Sequence, residues 1–169
     1  YRTLDHVTLS LLATPKILVP DLQRGGIAVL DGKGEYYPHH NLYWITSRTW
    51  NLKALCVILR SSFVTAQIRN FSVTMRGGCL RYQAQNLRQL HVPEFATLTP
   101  AQVSSLVALA DCLELAKIDH VVDQIIRDLL TRPDHGEYTY PVQDVMPLSV
   151  AERPAPSYRS GRRLVKSGK

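Results

Sequence analysis

The chain has 169 residues, a formal net charge of +6, 45% hydrophobic residues and three cysteines. That size suits one domain, or one domain with an appendage, and can bury a core without disulfide staples. Cys56, Cys79 and Cys112 are odd in number, far apart and set in apolar runs, which argues against a disulfide scaffold or a Cys-x-x-Cys metal site and for reduced, buried, small hydrophobes in a cytoplasmic protein. No run approaches the ~20 apolar residues of a membrane span. No secretory signal pattern opens the chain, and Tyr1 in place of methionine reads as the start of a piece of a longer protein.

In chain order, Ile17-Leu18-Val19 predicts a short strand closed by Pro20, and Arg24-Gly25-Gly26 a turn. Ile27 to Leu30 predicts a second strand, and Asp31-Gly32-Lys33-Gly34 a hairpin whose return strand starts at Glu35-Tyr36-Tyr37. A loop at Pro38-His39-His40-Asn41 leads to the aromatic and β-branched strand Leu42-Tyr43-Trp44-Ile45-Thr46. The period then changes. Leu52, Leu55, Cys56 and Leu59 mark an amphipathic helix over about 50–62. Residues 63–75 read as helix at first and strand around Phe71 to Val73. Gly77-Gly78 turns the chain into a strand at Cys79 to Tyr82, Gln85 to Leu87 forms a short turn or helix, and Leu90-His91-Val92 is a last extended piece before Pro93. Thr99-Pro100-Ala101-Gln102 is a capping box with proline at the first helical position. The stripes Val103, Leu106, Val107, Ala110, Leu113 and Ile118, Val121, Val122, Ile125, Leu129 predict an antiparallel helix pair, or one long helix kinked near Lys117. The fold class expected is α+β: a small twisted, mostly antiparallel sheet with interleaved helices, then a helical pair.

Charge is segregated along the chain. From Tyr36 to Pro93 there is no Asp or Glu, yet Arg48, Lys53, Arg60, Arg69, Arg76, Arg81 and Arg88 fall there. Residues 93–151 carry nine acids against three Lys/Arg, and residues 152–169 six Lys/Arg against one acid. Ordinary surfaces intersperse both signs. A long basic stretch without carboxylates suits a face that approaches a polyanion, because acids there would repel phosphate. The divisions expected are a lead-in over 1–13, a DNA-facing α/β region over 14–98, a helical section over 99–147 and a basic, disordered tail over 148–169.

The ordered segments Pro15 to Pro20, Gly26 to Asp31, Tyr37 to Ile45, Leu55 to Ser61, Gly77 to Tyr82 and Leu87 to Pro93, followed by a leucine-rich helix, carry a further signal. This order resembles the C-terminal specificity domain of TaqI-type N6-adenine DNA methyltransferases, including fused type II restriction-modification enzymes, over residues 14–132. Ile118-Asp119 and its helix are similar to that family's closing segment, although Asp128-Leu129-Leu130-Thr131 departs from its usual ending. Type I specificity subunits share a similar strand exit. The resemblance implies a module that docks on double-stranded DNA and reads a short sequence. It also implies an N-terminal methyltransferase domain that binds S-adenosylmethionine and acts on a flipped adenine. The family's Asn/Asp-Pro-Pro-Tyr/Phe motif is absent from the sequence, and no glycine turn leads from a strand into a helix. No cofactor and no enzymatic activity are therefore expected of this chain alone.

The DNA-binding candidates are Lys16, Arg24, Lys33, His39, His40, Asn41, Arg76, Arg81 and Arg88. Arginine can read guanine through its fork or hold phosphate, and lysine holds phosphate. His39-His40-Asn41 reads first as a polar turn stabilised by Asn41 and second as a set of base or phosphate contacts; adjacent histidines pointing to opposite sides, with no acid or cysteine near in sequence, argue against a metal site. The exposed alternatives for the arginines are plain solvated side chains. Tyr36, Tyr37, Tyr43, Trp44 and Trp50 could stack on bases but suit a core better. Two rival functions stay open: a protein-interaction module using the helical pair without DNA binding, and a metal-dependent hydrolase centred on His39 and His40.

Overall fold

The computed structural model describes residues 12–38 and 41–132 and the backbone of 149–150. Strand β1 (Lys16–Pro20) carries the apolar run Ile17-Leu18-Val19, with Ile17 and Val19 fully covered, as a central strand needs. It pairs antiparallel with β3 (Val29–Asp31) on one side and β4 (Leu42–Thr46) on the other. Strand β6 (Ser149–Val150) pairs antiparallel with β4, giving the order β3-β1-β4-β6. A separate two-stranded ribbon joins β2 (Leu22–Gln23) to β5 (Leu80–Arg81), also antiparallel. The fold is α+β, as the sequence predicts.

Helix α1 (Leu52–Arg60) starts at Asn51, whose carboxamide oxygen accepts from the amides of Lys53 and Ala54. Every residue from Ala54 to Arg60 is buried, so the helix is the centre of the molecule and not a surface element. It packs on β1 and β3 and against α2 (Ser62–Phe71), α4 (Pro100–Ala108) and α5 (Leu115–Leu130). Sheet and helices share one core that runs from Ile17 to Leu129. The Thr99 capping box forms with both reciprocal bonds. Gln102 at the start of α4 donates to Asp128 near the end of α5, so the pair is antiparallel. The break lies at 109–114, N-terminal to the kink expected near Lys117.

Two internal ties fix these helices. Arg60 is buried and donates from Nη1 to the Ala110 carbonyl (2.8 Å) and from Nη2 to that of Cys112. It thereby satisfies carbonyls where α4 ends. Asp119 of α5 accepts from the amide and hydroxyl of Ser62 (2.7 Å each), covering the first turn of α2.

Four expectations are corrected. The hairpin with a return strand at 35–37 does not form: β3 pairs with β1, and the amides of Glu35 and Tyr36 donate instead to the Asp31 carboxylate (2.9 and 3.0 Å). The extended piece at Leu90 to Val92 joins no strand; His91 is bound through its backbone amide and carbonyl by the Gln67 carboxamide (2.8 and 2.9 Å). Ser149–Val150, placed in the tail by composition, lies in the sheet because β4 has an open edge there. Of the cysteines expected to be buried, only Cys56 is fully covered; Cys79 and Cys112 are half-buried. Burial pushes the Cys56 thiol up to about 11, which leaves it an inert hydrophobe. No described helix is long and apolar enough to cross a membrane.

Candidate nucleic-acid interface

The β2–β5 ribbon organises the region that sequence charge singles out. Leu22 faces Arg81 and Gln23 faces Leu80. Antiparallel strands leave a ribbon in neighbouring positions at each end, so the chain after Gln23 and the chain before Leu80 emerge together. These are the turn Arg24-Gly25-Gly26 and the hairpin Met75 to Cys79.

Both loops are held by internal bonds, leaving their cations outward. Gln23 is buried, and its carboxamide accepts from the Ile27 amide (2.9 Å) and donates to the Ile27 carbonyl (3.0 Å). The turn is thus closed beneath Arg24, which is exposed. Gly25 has φ +124°, and a Cβ there would stand 2.6 Å from Thr65 Cγ2 of α2. Only glycine lets the turn lie on the helix at that point. Thr65 also accepts from the Tyr82 hydroxyl (3.3 Å), so one α2 residue supports both the turn and the end of β5. Burial pushes the Tyr82 phenol up, against the lowering effects of that bond and of Arg69.

The second loop is a β-turn at Met75 to Gly78. The Met75 amide donates to the Cys79 carbonyl (2.7 Å), and the Gly78 amide to that of Met75 (3.0 Å). Arg76 is exposed at its tip, and Gly77 and Gly78 take φ values of +85° and +75°. The base is closed where the Arg81 amide donates to Ser72 Oγ (2.8 Å). Asp21 then joins three segments: its amide donates to the Asn41 carbonyl (2.9 Å), its carbonyl accepts from the Tyr82 amide (2.6 Å), and its carboxylate holds the Arg81 guanidinium. Asn41, exposed, is brought beside the ribbon by this hub.

The nine candidates therefore divide. Arg24, Arg76 and Asn41 gather around the ribbon. Lys33 is exposed and 3.8 Å from Glu35. Arg88 is exposed beyond the short helix α3 (Ala84–Leu87). Arg81 is spent on Asp21. Lys16 is fully buried, with Nζ 2.6 Å from Asp31 across the β1–β3 pair, and is corrected from a surface contact to a core ion pair. Burial pushes the Asp31 carboxyl up, but bonds from Lys16 and from the Tyr36 and Glu35 amides outweigh it and hold the pKa below its ordinary value. His39 and His40 lie outside the described residues. Trp50 is a core residue, its ring 5.3 Å from that of Phe95.

Sequence reasoning counted Arg48, Lys53 and Arg69 in the acid-free stretch but did not make them candidates; all three are exposed. Among the described residues, no carboxylate lies within ion-pair distance of these three, Arg24 or Arg76. It also missed Asp21 and Gln23, whose roles depend on partners across the fold. No group of three or more His, Cys, Asp or Glu is gathered among the described residues.

No known protein family profile matches the chain. It is similar to parts of three curated proteins. It is 46% identical over 96 residues to the type II methyltransferase M.PaeR7I of Pseudomonas aeruginosa, covering 57% of this chain and 17% of that protein. It is 45% identical over 95 residues to the type II methyltransferase M.XhoI of Xanthomonas vasicola, covering 56% and 17%. It is 38% identical over 125 residues to the type II methyltransferase M.BstVI of Geobacillus stearothermophilus, covering 74% and 22%. The chain thus spans about a fifth of the length of these relatives. It is homologous to a portion of type II methyltransferases.

Proposed function

We propose that this chain is the DNA target-recognition part of an adenine-specific DNA methyltransferase of a restriction-modification system. It positions double-stranded DNA for a catalytic domain carried elsewhere in the parent protein. The observation that carries this reading is the pair of loops at one end of the β2–β5 ribbon, which present Arg24 and Arg76 outward with no carboxylate partner among the described residues. Homology to a small share of type II methyltransferases supplies the context. Phosphate contacts set the register of such a module, and a few side chains read base edges. Arg24, on a turn braced by Gln23 and Thr65, is suited to phosphate.

In this reading the chain performs no chemical step, and S-adenosylmethionine belongs to the catalytic domain. The glycines fit that division. Gly25-Gly26 lie between two strands, and Gly77-Gly78 form a hairpin tip, so neither pair makes the strand-to-helix turn of a cofactor loop.

The test is fluorescence anisotropy of the chain with mixed-sequence duplex DNA across a salt series. The basic residues after Val150 bind DNA non-specifically in principle, so a form ending at Val150, which keeps β6, is measured beside it. Affinity that persists in the shorter form and falls steeply with salt supports the reading. A second reading, a protein-interaction module, is favoured by Leu113, 91% exposed between α4 and α5; it requires that the shorter form bind no duplex even at low salt.

A further inference from the structure

Exposed apolar side chains include Leu22 and Val29 on β2 and β3, Leu115 and Leu130 at the two ends of α5, and Val73 and Met75 on the hairpin. Single exposed apolar residues need no explanation. The hairpin pair differs in company and position. Val73 is 76% exposed and Met75 40%; they stand two residues apart and run directly into Arg76. The turn beyond gives them no cover, since a Cβ on Gly77 or Gly78 would meet nothing within 4 Å. The segment is nevertheless fixed, by the Met75–Cys79 bridge at its neck and the Ser72–Arg81 bond at its base.

A projecting hairpin, closed by one bridge and carrying two apolar side chains and an arginine, matches one surface in chemistry. The major groove admits a β-ribbon and displays the thymine 5-methyl group together with guanine O6 and N7; the minor groove has no methyl group. Resting on the reading above, we infer that the Val73 to Cys79 hairpin is the base-reading element of this chain. Val73 and Met75 contact a thymine methyl in the major groove, and Arg76 donates to the guanine of a neighbouring base pair. Arg24, at the root of the projection, holds the backbone beside it.

The experiment selects duplexes from a randomised library with the full chain, then measures affinity for the selected sequence with each thymine replaced in turn by uracil, which lacks only the methyl group. The wild-type chain is expected to lose about fourfold at one position, the worth of one buried methyl-sized group. Met75→Ser is expected to bind the thymine duplex several-fold more weakly and to be indifferent to uracil at that position. Arg76→Ala is expected to lose preference for one G·C pair. All three side chains are exposed, and circular dichroism confirms that the variants fold. Sequence-selective binding that survives Val73→Ser, Met75→Ser and Arg76→Ala unchanged overturns the hairpin's role while leaving DNA recognition standing. A loss in Met75→Ser that is equal for thymine and uracil duplexes overturns the methyl contact. Failure of the wild-type chain to bind any duplex overturns both.

Discussion

Arg81 is fastened to Asp21 by two contacts, Nε to Oδ1 at 3.1 Å and Nη2 to Oδ2 at 2.8 Å, across sixty residues of chain. The pair joins the entry of β2 to β5 and sets the geometry from which the Arg24 turn and the Arg76 hairpin project. Because it is partly exposed, its direct coupling is modest, about 0.5–1 kcal/mol. A double-mutant cycle of Asp21→Ala and Arg81→Ala, followed by thermal unfolding, is expected to return a coupling of that size and sign.

The Lys16–Asp31 pair is a different case, since both side chains are covered. Removing one partner leaves a buried charge, so Asp31→Ala or Lys16→Met is expected to cost about 3–5 kcal/mol in denaturant unfolding. The folded pKa of Asp31 lies below its ordinary value of 3.8. Its contribution is therefore fully present above that ordinary value and is lost as pH falls through the lower folded value. Unfolding midpoints measured from pH 6 down to pH 2 are expected to drop more steeply for the wild-type chain than for Asp31→Asn.

Gly25→Ala meets both an unfavourable backbone conformation and Thr65, and is expected to cost about 1–3 kcal/mol. Combining it with Thr65→Ala, which removes the crowding Cγ2 and Oγ1 atoms, is expected to cost less than the two single changes added. Gly77→Ala, with open space around it, is expected to cost less than Gly25→Ala. Chemical unfolding of the four variants checks the order.

Arg60 lies within the acid-free stretch but points inward to Ala110 and Cys112. Arg60→Met leaves two carbonyls without this donor and is expected to destabilise the chain by about 2–3 kcal/mol. Its DNA affinity, measured below the lowered melting temperature, is expected to match wild type.

The elements with local signals were legible in the sequence: β1 and β4 from their apolar and β-branched runs, α1 from its period, the start of α4 from its capping box. What was hidden depended on distant partners. Asp31-Gly32-Lys33-Gly34 has a hairpin's composition, yet the Asp31 side chain takes the amides a return strand would use and meets Lys16 from another strand. Counting charge found the basic stretch but could not sort its members, because the groups that occupy Arg60 and Arg81 lie fifty or more residues away. The glycine turns at 25–26 and 77–78 were readable as turns. That they emerge side by side follows only from the β2–β5 register.

DNA docking through the Arg24 turn is tested most directly by the salt dependence of duplex binding for Arg24→Ala and Arg81→Ala beside the wild-type chain, each in the form ending at Val150. A phosphate contact contributes about one to the slope of log affinity against log salt. The slope is expected to be shallower by about one for Arg24→Ala and unchanged for Arg81→Ala, whose guanidinium already belongs to Asp21. Equal slopes for Arg24→Ala and the wild-type chain, or salt-independent binding in all three, would contradict docking through that turn.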